Sequence, residues 1–166
     1  MDFCKVSSFV MMIVMITGCL ATESKLNEDD LQQFIRKHNI EYDKIIRKAD
    51  TYYIFLDHED EYEIYVLKGK NVKGTYIYGH STSSKSNNQL IFLGDAEEGA
   101  VGLVIHDLDL QSSASKVEVI REDQRKSFTL SDQERFYVLE APFLTEVYDY
   151  TLRFYDDVNK IIYEYY

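Results

Sequence analysis

From Thr51 to the C-terminus, short apolar runs rich in Tyr, Ile, Val, Phe and Thr alternate with clusters of Asp, Gly, Asn and Ser. That texture predicts an antiparallel β domain. The runs fall at 52–56, 62–67, 75–78, 90–93, 101–106, 117–121, 127–130, 136–139, 150–155 and 161–165. Ten strands of this kind need two packed sheets or a closed barrel, and the pattern leaves both open. The intervals are short, so hairpins should predominate, and no helix-length segment separates the runs to permit a parallel crossover. Val117 and Val119 share one face with Glu118 opposite; Leu152 and Phe154 share one with Thr151 and Arg153 opposite, so each strand has one side in the core. The last hairpin should turn at Asp157-Val158-Asn159, where Asn tolerates positive φ. Pro142 marks the end of the run before it, and the polar stretch 81–88 reads as a mobile loop. No internal repeat is present.

Ahead of the β region, Asn27 precedes three acids, Glu28, Asp29 and Asp30, and Leu31, Phe34, Ile35 and His38 recur at helical spacing. An N-cap followed by carboxylates on the positive end of the helix dipole predicts an amphipathic helix over 28–37. The same phase continues through Tyr42, Ile45, Ile46 and Ala49. The β-branched pair and the Asn39-Ile40 break favour a strand over 42–49, with a longer helix as the alternative. The expected fold class is therefore mainly β: an antiparallel β-sandwich or barrel-like double sheet of about 8–10 strands with one N-terminal amphipathic helix.

The first nineteen residues differ from all the rest. Lys5 is followed by the apolar run Phe9-Val10-Met11-Met12-Ile13-Val14-Met15, too brief to cross a bilayer as a permanent helix, and then by small residues. This is the pattern of a secretory signal. Ile16-Thr17-Gly18-Cys19 also resembles the lipobox of bacterial lipoproteins, which implies lipid attachment at Cys19 as the first mature residue. Ordinary cleavage after Ala21, giving a secreted protein, and an uncleaved anchor are the alternatives. The expected organisation is a lipoprotein-type signal peptide over 1–18, a tether over 19–27 and a single extracytoplasmic domain over 28–166. Removing 18 of the 166 residues leaves 148, enough for one domain with a proper core.

Both cysteines, Cys4 and Cys19, lie in the export segment, so the domain has no disulfide, no thiol nucleophile and no cysteine-bound metal. Burial alone must hold it, and an apolar content of 45% with 14% aromatic residues suffices. Eighteen basic against 29 acidic residues give a net charge of −11, which processing leaves unchanged because Asp2 and Lys5 depart together. Such a surface repels nucleic acid and anionic head groups. It serves solubility, or it selects a cationic or neutral protein or peptide partner.

No motif is specific to a reaction or cofactor. The four histidines, His38, His58, His80 and His106, form no HExxH or HxH arrangement. His38 continues the apolar helix face and reads as structural. His58 stands in the acidic link Asp57-His58-Glu59-Asp60-Glu61, a solvated hairpin turn or, alternatively, a divalent-cation site without EF-hand spacing. His106-Asp107-Leu108-Asp109, read as extended chain, puts two carboxylates on one side, and His106, Asp107 and Asp109 are the candidate ligand or catalytic residues. Ser113-Ala114-Ser115-Lys116 matches the loose SxxK pattern by chance, since strand follows and neither SDN nor KTG does. Fourteen tyrosines suit strands, while exposed pairs such as Tyr76/Tyr78 or Tyr163/Tyr165 would present a recognition face.

The export signal, the acid-rich helix and the closing pattern Leu152-Arg153-Phe154-Tyr155-Asp156-Asp157-Val158-Asn159-Lys160-Ile161-Ile162-Tyr163-Glu164 together resemble small uncharacterised lipoproteins of low-GC Gram-positive bacteria. The resemblance implies an anchored, mainly β extracytoplasmic domain on the outer face of the cell membrane and carries no activity or ligand. The expected function is a lipid-anchored binding or interaction module with an acidic, Tyr-rich β surface and no enzymatic activity. The alternatives are an envelope hydrolase using strand-end carboxylates and an accessory subunit of a membrane complex.

Overall fold

The computed structural model describes residues 25–85, 89–93, 99–144 and 150–166. The signal segment, Cys19 and most of the tether lie outside the described residues, as does part of the 81–88 loop. Eleven strands and two helices follow in the order α1 (Glu28–His38), β1 (Lys44–Lys48), β2 (Thr51–Asp57), β3 (Glu61–Lys70), β4 (Tyr76–Ser84), β5 (Leu90–Leu93), β6 (Ala100–Ile105), α2 (Leu108–Ser113), β7 (Lys116–Arg121), β8 (Gln124–Thr129), β9 (Phe136–Glu140), β10 (Thr151–Tyr155) and β11 (Ile161–Tyr165). All pairings are antiparallel. The fold is mainly β with an N-terminal amphipathic helix, and the strand over 44–48 settles the alternative left open there.

The strands form three sheets. Sheet I has the order β1-β2-β3-β4, sheet II β5-β6-β9 and sheet III β11-β10-β7-β8. Sheet II lies in the middle. Val101, Leu103 and Ile105 of β6 pack with Val117, Val119, Leu152 and Phe154 of sheet III. On the other side of β6, Ala100 and Val104 pack with Phe55, Ile64 and Val66 of sheet I. Every residue of β6 is buried, which is why Ala100-Val101-Gly102-Leu103-Val104-Ile105 reads as continuous apolar sequence without alternation. Sheets I and II also approach along their edges, β4 beside β5 and β1 beside β9, in a sandwich-like closure.

Helix α1 covers the outer face of sheet I with Leu31, Phe34 and Ile35 against Ile54, Leu56 and Leu67. Its start is fixed by a capping box in which Asn27 Oδ1 accepts from Asp30 N at 2.9 Å and Asp30 Oδ2 accepts from Asn27 N at 3.1 Å. Leu26, just before the cap, is buried in the same cluster as Leu31, so the end of the expected tether already belongs to the folded body. Lys70 bonds Asp30, and Tyr76 donates to the Asp30 carbonyl at 3.0 Å, tying the helix to β3 and β4. The bond from Lys70, with that from the Asn27 backbone, holds the Asp30 carboxyl below its ordinary value.

Three of the hairpins use non-glycine residues at positive φ. Ala49 (φ 47) and Glu122 (φ 52) open the two-residue connections between β1 and β2 and between β7 and β8. The left-handed region costs an L residue about 1–2 kcal/mol, part of which a glycine returns through its looser unfolded state. Ala49→Gly is therefore expected to raise stability by about 0.5–1 kcal/mol. Urea unfolding checks this, and a loss of stability would show that Ala49 packs more than its backbone indicates. Asn159 (φ 62) closes the final hairpin as its sequence predicts, with Asp156 Oδ1 accepting from Val158 N and Lys160 N.

Two expectations are corrected. Residues 81–84 belong to β4, since Ser81, Thr82, Ser83 and Ser84 pair with Ile64, Glu63, Tyr62 and Glu61. Polar side chains do not prevent a strand whose backbone is saturated by a long neighbour. His106-Asp107-Leu108-Asp109 is not extended: the chain leaves β6 and turns into α2, with Asp107 as its N-cap.

Candidate functional site

Of the residues singled out by sequence, Asp107 and Asp109 line one groove and His106 lies outside it. His106 Nδ1 lies 3.0 Å from the hydroxyl of Tyr62, which is 1% exposed. Arg135 also donates to that hydroxyl oxygen, at 3.5 Å. Arg135 and Lys85 both pair with Asp57, and Lys85 Nζ sits 4.7 Å from the Tyr62 ring centroid. This network joins the ends of sheets I and II. Burial, then the Asp57 charge, raises the Tyr62 hydroxyl above its ordinary value. Asp57 is thus occupied by two cations, and the acidic link 57–61 is a hairpin turn in which His58 N donates to Glu61 O.

Asp107 faces elsewhere. Its carboxylate accepts from Leu110 N at 2.8 Å and from Gln89 Nε2 at 3.1 Å, and these bonds, the Leu110 one foremost, hold it below the ordinary range. A carboxylate kept ionised by capping a helix is poorly suited to donate a proton. Asp109 is exposed in the first turn of α2. Both acids line an open groove of about 310 Å³ beside Ile162 and Tyr163. Ser113 ends α2 while Lys116 begins β7, so the SxxK match has no helical turn to place the lysine.

A more ordered cluster lies on the outer face of sheet I, beside α1. Strand periodicity puts Glu63 and Tyr65 of β3 and Tyr78, His80 and Thr82 of β4 on this face, and register sets His80 opposite Tyr65 and Thr82 opposite Glu63. The Tyr65 and His80 rings stack at 4.5 Å. Tyr78 and His38 meet at 5.2 Å, and both contact Phe34 beneath them, at 5.0 and 4.4 Å. Phe34 is wholly enclosed, whereas Tyr78 is 42% exposed, so the rings form a shelf with a buried support and an open rim.

Glu63 organises the polar end of this shelf. His58 Nε2 and His80 Nε2 approach its two oxygens at 2.8 and 2.5 Å, and Tyr65 donates to it as well. Burial alone would raise the Glu63 carboxyl, but the bonds from His58, Tyr65 and His80 outweigh it and hold the group below the ordinary 4.5. Tyr65, by burial and by donating to Glu63, is pushed up to about 12 and so remains a donor at every physiological pH. Among the described residues no group of three or more His, Cys, Asp or Glu is arranged to hold a metal ion.

A depressed carboxyl contributes stability that is full above its unfolded value of 4.5 and is lost as pH falls through the folded one. Glu63→Gln should cost about 1–2 kcal/mol at pH 7, with the deficit closing below pH 4.5. Melting temperatures of both proteins from pH 3 to 7 check this; a constant deficit would show that the carboxylate charge is irrelevant.

Sequence reading named the tyrosines of this face only as Tyr76/Tyr78 and left His58, Glu63 and His80 apart. The available signal was the i, i+2 pairing of Glu63 with Tyr65 and of Tyr78 with His80; the register that joins them was not available. Fold and cluster together define a three-sheet antiparallel β domain with a half-open aromatic shelf. No protein family matches the chain, and neither does any curated protein or solved structure. Among the described residues no helix is long and apolar enough to cross a membrane.

Proposed function

We propose that the protein is a lipid-anchored extracytoplasmic binding module, held at the cell membrane through Cys19, that presents an acidic, Tyr-rich β surface to a cationic or neutral protein, peptide or envelope component. The observation that carries the reading is the shelf of Tyr65, Tyr78, His38 and His80. Rigid amphipathic rings give large contact area at low entropic cost, and here Phe34 and the Glu63 bonds fix them before a ligand arrives. The net charge of −11 selects against anionic surfaces and favours cationic ones. Lipid attachment follows from Ile16-Thr17-Gly18-Cys19 and the apolar run before it. Against the hydrolase alternative stand the commitment of His106 to Tyr62 and of Asp107 to the cap of α2.

The test has two arms. Mass spectrometry of membrane-derived protein should find an acylated Cys19 as first residue, and Cys19→Ala should abolish the modification; an intact, unacylated amino terminus would overturn the anchor. Cross-linking on intact cells, with Tyr65→Ala/Tyr78→Ala beside the native chain, should retain membrane attachment and lose the cross-linked species. Equal cross-linking by both would remove the shelf from the binding surface.

A further inference from the structure

The three sheets differ in their edges. Sheets I and II shield one another, β4 beside β5 and β1 beside β9, whereas no described strand lies outside either edge of sheet III. Open strand edges are pairing templates, and folded proteins normally blunt them with charge, proline or bulges. The two edges of sheet III differ in chemistry. On β8, Gln124, Arg125, Lys126 and Ser127 are all exposed, making that edge basic. On β11, Ile161 is 45% and Ile162 36% exposed and no lysine, arginine or proline interrupts the strand; the register shift against β10 falls at Ile162, so the regular edge runs over Tyr163, Glu164 and Tyr165. The groove beside β11 carries Asp107 and Asp109, and Glu164 stands on the strand itself.

We infer that β11 of one molecule takes up β8 of a second copy, so that sheet III runs on from chain to chain in a head-to-tail assembly.

Three observations support this occupant. Charge is complementary, since Arg125 and Lys126 would face Asp107 and Asp109 in the groove and the Glu164 carboxylate, which Arg153 and Tyr166 bond already but which retains lone pairs to accept more. A β11–β11 pair would instead set two acidic edges together. Direction is also right: sheet III holds four strands, each antiparallel to the next, so an unrotated second copy places its β8 antiparallel to β11. The faces match as well. Phe128, Val117, Phe154 and Tyr163 lie in one cross-strand row on the core side, and Ser127, Glu118, Arg153 and Glu164 in the adjacent row on the outer side. Continuing these rows sets Ser127 of the second copy opposite Glu164, with Arg125 on its diagonal. Repulsion between chains of net charge −11 is screened beyond about 8 Å at physiological salt, while pairs in contact are screened less. Such a contact is heterologous and does not close on itself, so it yields chains of open length. The inference is independent of the aromatic shelf, which lies on sheet I.

The test uses the full-length anchored protein in detergent micelles, followed by sedimentation over a range of concentrations, with thermal unfolding as the check on folding. The native chain should grow beyond a dimer with concentration. Ile162→Lys, which blocks β11 with a like charge, and Arg125→Glu/Lys126→Glu, which reverses β8, should each weaken association at least ~10-fold and leave monomers. Ile162→Glu perturbs the same site without opposing β8 and should keep assembling, which separates a charge effect from a folding defect. Mixing the two blocked variants should yield dimers and nothing larger, because each offers the edge the other lacks. A native chain that stays monomeric throughout, as expected were β11 to serve a basic peptide of another protein, would overturn the inference. So would a fixed dimer indifferent to the β8 substitutions, or blocked variants that fail to combine.

Discussion

Gly102→Ala should destabilise the domain by about 2–3 kcal/mol and lower its melting temperature by about 5–10 °C, although only one methyl group is added. Gly102 lies in the middle of β6, the one strand among the described residues that is buried along its whole length between sheets I and III. A Cβ there would come within 2.8 Å of the Leu93 carbonyl oxygen on β5, 2.8 Å of Ile64 Cδ1 and 3.2 Å of Phe55 Cε1. The Ile64 methyl can rotate away. Leu93 O cannot, because Leu93 is paired with Gly102 across the sheet and moving it spoils the ladder. Relief must come from shifting β6 against β5 within sheet II, which drives the new methyl group toward Phe55 and Ile64 of sheet I and disturbs their packing. Gly79 is the control: an added Cβ meets only Val66 Cβ, at 4.0 Å, so Gly79→Ala should change stability little. A loss at Gly102 of less than about 1 kcal/mol would mean that the two sheets are not in close contact there.

Phe34→Ala should cost about 3–5 kcal/mol, concentrated on α1 rather than spread over the domain. Phe34 is wholly enclosed, and its ring touches those of His38, Tyr65, Tyr76 and Tyr78 at 4.4 to 6.0 Å. Truncation leaves a cavity that the surrounding rings, held by Glu63 and by the strand register, cannot fill by collapsing. An eleven-residue helix is marginal on its own, so its docking depends on Leu31, Phe34 and Ile35. Hydrogen exchange should show the α1 amides losing protection while those of β6, two layers away, keep theirs. Tyr65 and Tyr78 would lose their support at the same time, so the cross-linked species expected of the native shelf should vanish. Phe34→Leu, which keeps most of the volume, should retain both. Undiminished α1 protection in Phe34→Ala would show that the helix is held by its cap and by the Lys70–Asp30 pair instead.

The two substitutions probe different kinds of information. Phe34 is legible: its place on the helical stripe with Leu31 and Ile35 declares it buried. Gly102 is not, because a glycine within an apolar run looks the same whether its strand faces water on one side or is covered on both. The same limit applied to the candidate site. Asp107 and Asp109 look like a pair in an extended chain and differ once Asp107 is recognised as a helix cap, a role decided by where the backbone turns after β6. His58 meets Glu63 from the link between β2 and β3, and His80, 17 positions beyond Glu63, joins them only because β3 and β4 pair in one particular register.

By itself the sequence determined most of the elements. Periodicity, caps and turn residues are local, and they were sufficient to place α1, the body of each strand and the closing turn at Asn159, but not α2 or the second half of β4. Composition likewise determined an acidic surface and a domain without thiols. Only the tertiary structure decided that the strands divide into three sheets, that β6 lies between two cores, and that Tyr65, Tyr78 and His80 share a shelf over Phe34. Those facts depend on contacts between residues far apart in the chain, chosen by which faces bury most apolar surface together, and no local pattern encodes that choice.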